Sequence, residues 1–349
     1  MKLGILVVSN NFSGAENVVK NLLSHIKYNL NTVLIVNNEI YTNFSNLGIK
    51  TYNLGNIFCK NFASRFFNIV QASKKLREII SKEDLNIINT HLEYSMFIAD
   101  LLNKNVFIVM SLHGEETFNL GKTRKVFQNY IVKRGLRKAN KIILVSELLM
   151  NNLSKKYKKK TVVIPNGVDS DVFKPLNGIK QKKNVILFAG RFIDIKGIQE
   201  IVNVAKKLPQ YEFWFAGQGP LENLINLPNT KNLGFKTTEE LVKLYNQATI
   251  CIFPSYRESF GLVGLEAMAC GRAVIVTPLG FSEYIENGKD GIIIPAKDEK
   301  TLKDAIVDLM TNEKKRKIIE KNARKKALQY SWDNVAKQYI DVLKEVIYE

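Results

Sequence analysis

Short apolar runs alternate along the chain with longer stretches in which apolar residues recur at helical spacing. In the first half, the runs LGILVVS, NTVLIVN, LNIINTH, VFIVMSLH, KIILVS and TVVIP predict strands, and residues 16–29 and 64–82 have helical patterns. The second half repeats this with VILFAGR, EFWFAGQG, TICIFPS, AVIVT and GIIIP. Strands without polar alternation are buried on both faces, as in parallel sheets covered by helices. The pattern predicts an α/β fold with two doubly wound, Rossmann-like parallel-sheet domains facing each other across a cleft.

The domain boundary is predicted from one segment without apolar periodicity. A chain of 349 residues exceeds one ordinary core. The segment PNGVDSDVFKPLNGIKQKK is rich in turn residues and places the boundary near 165–183. We therefore predict an N-terminal domain over 1–165 and a C-terminal domain over 166–331. The last segment, 332–349, predicts an amphipathic helix that packs back onto the first domain.

Composition excludes several classes of protein. No apolar run reaches the roughly 18 residues of a membrane span, and MKLGILVVSN predicts a first buried strand rather than a signal peptide. The odd number of widely spaced cysteines fits a reducing cytosol best. The three cysteines and three histidines have neither disulfide-framework nor zinc-ligand spacing. The net charge of +18 indicates an anionic partner or a charged, solvated surface. Nucleic acid, anionic lipid and phosphorylated small molecules all stay open on charge alone.

Glycine-bearing turns follow several predicted strands, where open α/β sheets bind their ligands. In VILFAGRFIDIKG the strand ends at Gly190, and Arg191 and Lys196 follow five residues apart. Two cations there suit a diphosphate, although a turn with two exposed cations is the favoured interpretation of this segment alone. In FAGQGP, Gly217 and Gly219 allow close approach of a ligand. The segment lacks the third glycine and the acidic residue of a dinucleotide fingerprint, so NAD is disfavoured.

The segment ESFGLVGLEAMACG contains two glutamates eight positions apart. Its loop brings Glu258 and the amides near Phe260, Gly261 and Leu262 to the N-terminus of a predicted helix, which is a ready anion site. Glu266 lies about one turn further in. Its carboxylate cannot bind phosphate but can accept two hydrogen bonds from a ribose diol. A buried ion pair with a lysine or arginine is an equally open interpretation of Glu266.

The same segment is similar to the E-x-F-G-x-x-x-x-E-A-M-A-C-G signature of the retaining glycosyltransferases of family four (glycosyl transferases group 1), which have the GT-B fold. AGRFIDIKG resembles the G-R-x-x-x-x-K-G of that family. Further segments stand in the expected order: NNFSGAENVV, VMSLHGEE, VIPNGVD, FAGQGP, DGIIIPAKD and SWDNVAKQYIDVL. The resemblance covers nearly the whole chain and is most specific over 160–300.

The resemblance implies roles for individual residues. The catalytic residues that it implies are His113, Glu258, Arg191 and Lys196. Among them, His113 would face the donor sugar at the reaction centre. Donor binding is implied for Gly14, Arg191, Lys196, Gly217, Glu258, Phe260, Gly261, Leu262 and Glu266. Among these, Glu266 would bind the ribose, the two cations the diphosphate, and Glu258 the hydroxyls of the transferred sugar.

Four positions need further comment. Ser13 replaces a glycine of the Gly-Gly-x-E loop of the family, so the backbone approach to phosphate at Gly14 differs. Asn166 would shape the rim of the cleft. For His113 the alternative is a strand-end histidine bonded to a backbone carbonyl. His91 is either an acceptor-side residue or a satisfied structural one, and the latter is favoured.

The implied activity is that of a hexosyltransferase. A hexose or N-acetylhexosamine would pass from a nucleoside-diphosphate sugar, UDP-sugar before GDP-mannose, to a glycan or lipid-linked acceptor in cell-envelope biosynthesis. The configuration would be retained, with no metal and no cofactor. Two alternatives are a sugar-nucleotide epimerase on the same fold and a non-catalytic basic binding protein. No nucleic-acid partner is predicted, since no RRM-type motif occurs.

The segment KTRKVFQNYIVKRGLRKANK, at 122–141, interleaves basic and apolar residues. Basic amphipathic helices lie on anionic membranes, so the segment predicts peripheral contact of the first domain with the inner face of the membrane. An ordinary solvated helix is an equally open interpretation.

Overall fold

The computed structural model describes residues 1–12, 14–27, 29–59, 61–102, 106–114 and 124–348. The chain divides into two compact units. The first unit comprises Met1–Asn166 together with Trp332–Glu349, and the second comprises Gly167–Ser331. Each unit contains one parallel sheet covered by helices. Among the described helices, none is both long and apolar enough to cross a membrane.

The first unit is built on a sheet of seven parallel strands. They are β1 (Lys2–Val7), β2 (Asn31–Val36), β3 (Lys50–Asn53), β4 (Ile87–His91), β5 (Phe107–Leu112), β6 (Lys141–Leu144) and β7 (Thr161–Val163). Their order is β3-β2-β1-β4-β5-β6-β7. Val7 pairs with His91, and His91 pairs with Ser111, so the carboxyl ends of β1, β4 and β5 are level. The direction of strand order reverses between β1 and β4, which is where open α/β sheets bind ligands.

Helices cover both faces of this sheet, as the burial of its central strands on both sides requires. The helices are α1 (Gly14–Ile26), α2 (Tyr41–Phe44), α3 (Phe62–Glu83), α4 (Glu93–Asp100), α5 (Arg124–Lys138), α6 (Glu147–Met150) and α7 (Lys155–Lys158), with 3-10 turns at Asn38–Ile40 and Ser45–Leu47. The apolar stripe of α1 is buried through Val18, Val19, Leu22, Leu23 and Ile26.

The second unit repeats the plan with six parallel strands. They are β8 (Val185–Ala189), β9 (Glu212–Ala216), β10 (Thr230–Gly234), β11 (Ile250–Phe253), β12 (Ala273–Val276) and β13 (Ile292–Ile293), in the order β10-β9-β8-β11-β12-β13. The helices are α8 (Ile198–Lys207), α9 (Thr238–Gln247), α10 (Leu262–Ala269), α11 (Glu299–Thr311) and α12 (Glu313–Gln329), with 3-10 turns at Asp194–Lys196 and Glu222–Leu224. The strand order reverses between β8 and β11, so the loops after these two strands meet.

The C-terminal helix, α13 (Trp332–Tyr348), belongs to the first unit. It packs on α1, where the Trp332 and His25 rings stack with centroids 6.3 Å apart. Its Tyr339 hydroxyl lies 2.7 Å from the Ser111 hydroxyl of β5. The predicted α/β fold with two Rossmann-like parallel sheets is confirmed.

Candidate active site

The loop after β8 contains two cations, Arg191 and Lys196, of which only Lys196 is paired within the described residues. Arg191 is exposed, and its guanidinium makes no hydrogen bond or ion pair with the described residues. The 3-10 turn that follows contains Lys196 and ends at Gly197, whose φ of 73° is left-handed. A Cβ at Gly197 would lie 2.5 Å from the Pro254 carbonyl oxygen, so only glycine lets this turn pack against the end of β11.

Lys196 and Glu258 form an ion pair that joins the loops after β8 and β11. The Lys196 ammonium donates to Oε1 of Glu258, and the side chains are only 17% and 14% exposed. The Ser255 hydroxyl donates to the same carboxylate oxygen at 3.1 Å. The sequence predicted these two charged residues as ligands for different parts of a donor, whereas the structure brings them together as partners.

The glycines after β9 lie against backbone. A Cβ at Gly217 would be 1.9 Å from the Gly190 carbonyl oxygen, and a Cβ at Gly219 would be 2.6 Å from that of Phe192. Both glycines have φ values of 147° and 157°. The close approach that these glycines allow in the structure is therefore between two loops at the sheet edge, and contact of Gly217 with a donor stays a prediction.

The turn before α10 is held from several sides. Gly261 has a left-handed φ of 73°, and a Cβ there would be 2.4 Å from the Phe281 ring. The Tyr284 hydroxyl donates to the Gly261 carbonyl at 2.6 Å. The Phe260 side chain is buried, and Leu262 begins the helix. This packing fixes the amides at 261–263, whose positive helix end suits an anion.

Glu266 lies in α10, half-buried and surrounded by apolar neighbours. The hydroxyl of the fully buried Tyr245 donates to Oε2 of Glu266 at 3.2 Å. No cation pairs with this carboxylate within the described part of the chain. Burial raises the pKa of Glu266 to about 7, and the Tyr245 hydrogen bond opposes that rise. The described residues therefore do not provide the ion pair of the alternative interpretation, and the binding of a ribose by Glu266 stays a prediction.

His113 and His91 form a stacked, hydrogen-bonded pair at the carboxyl ends of β5 and β4. His113 Nε2 lies 2.8 Å from His91 Nδ1, and the ring centroids are 5.1 Å apart. His91 is fully buried, and its Nε2 lies 2.8 Å from Asn89 Oδ1. His91 is thus a satisfied structural residue, as favoured from the sequence. His113 bonds to a histidine rather than to the backbone carbonyl of the alternative interpretation.

Both histidines of this pair are neutral at pH 7. Burial lowers the pKa of His113 to about 4, although the Glu16 carboxylate opposes that change. Burial, with the charge of His113, lowers the pKa of His91 well below its usual range. Glu16, which is 2% exposed in the first turn of α1, is therefore the carboxylate whose negative charge acts on His113.

The remaining predicted site residues are placed as follows. Gly14 begins α1, and a Cβ there would meet nothing within 4 Å, while Ser13 lies outside the described residues. Asn166 is 7% exposed and ends the first segment of the first unit. The structure gives neither Gly14 nor Asn166 a contact that assigns a function, so their roles stay predictions.

Two supporting residues were not predicted from the sequence. Tyr245 orients Glu266 from α9, and no local pattern marks it. Asn89 stands two positions before His91 in the buried strand β4, so both side chains lie on one face of the sheet. That polar pair on one face of a buried strand is the signal that could have identified Asn89.

Family comparison identifies the kind of protein. The model of "Glycosyl transferases group 1" matches residues 169–326, and that of "Glycosyltransferase Family 4" matches residues 12–172. The chain belongs to the family 4 glycosyltransferases. The prediction that it is a glycosyltransferase enzyme is confirmed, which sets aside the non-catalytic binding protein.

Named relatives of this glycosyltransferase extend the comparison. It is 28% identical over 276 residues to the uncharacterized glycosyltransferase MJ1178 of Methanocaldococcus jannaschii, covering 76% of this chain and 77% of that protein. It is 29% identical over 260 residues to the N,N'-diacetylbacillosaminyl-diphospho-undecaprenol alpha-1,3-N-acetylgalactosaminyltransferase of Campylobacter jejuni, covering 68% of each. It is 25% identical over 302 residues to the N-acetyl-alpha-D-glucosaminyl L-malate synthase of Bacillus anthracis, covering 79% and 78%.

Solved structures share the fold of this glycosyltransferase. Sucrose-phosphate synthase of Thermosynechococcus elongatus matches with a TM-score of 0.84 at 20% identity, over 99% of this chain and 100% of that one. Anabaena Alr3699/HepE in complex with UDP matches with a TM-score of 0.82 at 18% identity, over 99% and 100%. The predicted GT-B class of fold is confirmed.

Proposed function

We propose that this enzyme transfers a hexose or N-acetylhexosamine from a nucleoside-diphosphate sugar to a glycan or lipid-linked acceptor, with retention of configuration. UDP-sugar is the favoured donor and GDP-mannose the second. The observation that carries the proposal is the Glu266 carboxylate, which has no cationic partner among the described residues and is oriented by Tyr245. Such a group is suited to accept two hydrogen bonds from the vicinal hydroxyls of a ribose.

The proposed chemistry centres on the leaving diphosphate. The bond between the anomeric carbon and the diphosphate oxygen breaks, and negative charge accumulates on that oxygen. Arg191 and the amides at 261–263 stabilise this charge, and Lys196 joins them once the bound diphosphate has drawn its ammonium from Glu258. The acceptor hydroxyl forms the new bond on the face that the diphosphate leaves, and its proton passes to the departing phosphate oxygen.

The pairing of Lys196 with Glu258 gives the site a defined resting state. Glu258 is nearly buried, with Ser255 and Lys196 both directed at Oε1. A bound diphosphate would compete for the ammonium, and the sugar hydroxyls would then donate to the carboxylate. No metal or cofactor is assigned a role in this proposal, and metal independence stays a prediction.

The named relatives support the choice of donor and acceptor. The Campylobacter jejuni relative is named for transfer of N-acetylgalactosamine to a diphospho-undecaprenol-linked sugar. The Anabaena neighbour was solved with UDP and with UDP-glucose. By analogy, we favour a UDP-sugar donor and a lipid-linked acceptor in cell-envelope polysaccharide or glycoconjugate biosynthesis.

Peripheral contact with an anionic membrane is part of the proposal, but the basic segment 122–141 supplies only some of the surface. Its first two residues lie outside the described residues. Arg134 pairs with Asp100, and Lys138 donates to two backbone carbonyls, so both cations serve packing within the unit. Exposed Phe66 and Phe67 on α3 offer apolar contacts. Equal sedimentation with anionic and neutral vesicles would contradict the contact.

The donor is tested by ligand-induced thermal stabilisation. UDP, GDP, ADP and their common sugars are screened against the wild-type enzyme. Ligand at 100 times its dissociation constant should add roughly 2.7 kcal/mol to the free energy of unfolding. We expect stabilisation by one nucleotide family, with uridine nucleotides first. A folded protein whose melting temperature responds to none of these ligands would contradict the proposed donor class.

A further inference from the structure

The orientation of the Asn89 side chain is fixed by its neighbours in β5. Asn89 is fully buried, and its Nδ2 lies 3.1 Å from the Val109 carbonyl oxygen and 2.9 Å from the Ser111 hydroxyl. A carbonyl oxygen only accepts hydrogen bonds, so the NH₂ group must face Val109. Asn89 Oδ1 therefore faces His91. Because that oxygen also only accepts, His91 must carry a proton on Nε2.

The protonation of His91 determines that of His113. His91 is buried and neutral, so with its proton on Nε2 its Nδ1 is a bare acceptor. His113 Nε2, at 2.8 Å, must then donate to it. A neutral His113 with its proton on Nε2 has an unprotonated Nδ1. That atom is buried and has no hydrogen-bond partner among the described residues.

We propose that His91 and Asn89 are positioning residues that fix His113 in the Nε2–H tautomer and so direct its Nδ1 lone pair at a hydroxyl of the transferred sugar. This inference rests on the proposed function, in which His113 contacts the donor sugar. A hydroxyl can donate to a lone pair, whereas a fully ionised phosphate oxygen cannot. The tautomer therefore assigns His113 to the sugar and keeps it from the diphosphate.

The chain of hydrogen bonds behind His113 reaches the C-terminal helix. The Ser111 hydroxyl, which accepts a hydrogen bond from Asn89 Nδ2, lies 2.7 Å from the Tyr339 hydroxyl of α13. The backbone of the residue after His91 is strained, which also indicates a constrained site. Leu92 has φ 68° and ψ 163°, a region that glycine almost alone adopts. A leucine is held there only when its surroundings determine the backbone, and such positions cluster at functional sites.

The test uses the nitrogen NMR signals of the three histidines in the free, wild-type enzyme. We expect His91 and His113 to carry their protons on Nε2. His25 is the internal control, because its Nδ1 lies 2.8 Å from the Asn21 carbonyl oxygen and must carry a proton. Addition of UDP-glucose should move the His113 Nδ1 signal, and addition of UDP alone should not.

Two variants of His91 distinguish a role in positioning His113 from a role in folding. His91→Phe keeps a ring but removes the acceptor for His113, so the His113 tautomer should change. UDP-glucose should then bind about tenfold more weakly, with the affinity for UDP unchanged, as expected for one lost hydrogen bond. His91→Asn places an amide oxygen near the former Nδ1 and should restore part of the UDP-glucose affinity.

The outcomes are distinguishable. A proton on Nδ1 of His113 in the free enzyme overturns the inference, whatever ligand binds. Equal movement of the His113 signal by UDP and UDP-glucose overturns its contact with the sugar. If neither ligand binds while both tautomers are as expected, the hydrogen-bond chain is supported and the proposed donor is contradicted.

Discussion

Replacing Arg191 by glutamine should lower the turnover number about 10²- to 10³-fold and leave the melting temperature unchanged. Arg191 is exposed and makes no hydrogen bond or ion pair within the described residues, so the fold does not depend on it. A preorganised donor removed from the developing charge typically costs roughly 3 kcal/mol in the barrier. The measurement is the rate of nucleoside-diphosphate release from the donor, together with a thermal melt of each protein.

Lys207→Gln is the matched control for Arg191→Gln. It removes the same charge from an exposed ion pair, in which Lys207 Nζ lies 2.8 Å from a Glu299 oxygen. Exposed pairs contribute little to stability, and Lys207 is not a proposed site residue, so its turnover should match the wild type. If the turnover number fell equally in both variants, the cause would be the lower net charge of the protein. A fully active Arg191→Gln would contradict its role at the leaving group.

Replacing Lys196 by methionine should lower both turnover and stability. Loss of the ammonium leaves the Glu258 carboxylate, only 14% exposed, without its cation. An unpaired charge in such a place should reduce the free energy of unfolding by about 3 kcal/mol. Turnover should fall as for Arg191, because a second cation is lost from the diphosphate. Chemical denaturation and the rate of donor cleavage are the two measurements.

The double variant Lys196→Met with Glu258→Gln distinguishes the two effects. Removing the stranded charge should recover most of the lost stability, since glutamine can still accept from Ser255. It should not recover turnover, because both proposed contacts with the donor are now absent. A double variant that regains turnover would show that the pair serves only the fold.

The sequence predicted the interior strands of both sheets but missed β3 and β10. Both missed strands lie at the edge of their sheet, where one side has no neighbouring strand. β3, with the sequence KTYN, contains no buried residue, and β10, with the sequence TKNLG, has only half-buried and exposed ones. Since an edge strand need not be apolar, hydrophobic periodicity alone could not identify either of them.

The charged residues of the candidate site were found from the sequence because they follow apolar strands at glycine-bearing turns. The contacts of these residues with one another could not be found from the sequence. Lys196 and Glu258 stand 62 positions apart, and only the strand order that places β8 beside β11 makes them partners. Tyr245 reaches Glu266 from another helix in the same way. Local sequence patterns identify the charged residues of the site, whereas tertiary packing determines which of them form pairs.

The proposed donor site depends most on Glu266, so the decisive measurement is calorimetric binding of UDP-glucose to wild type and to Glu266→Gln at pH 8 and pH 6. The sugar nucleotide is chosen because it lacks the terminal phosphate of UDP, which titrates near pH 6. The carboxylate is the binding form and its pKa is raised to about 7. Protonation as the pH falls from 8 to 6 should therefore weaken wild-type binding about tenfold.

Glu266→Gln should bind UDP-glucose weakly, with the same affinity at both pH values. Glu299→Gln, which alters a carboxylate outside the proposed site, should behave as the wild type. These results would place the ribose diol on Glu266. Wild-type affinity of well-folded Glu266→Gln for UDP-glucose at pH 8 would contradict the binding of the ribose by Glu266.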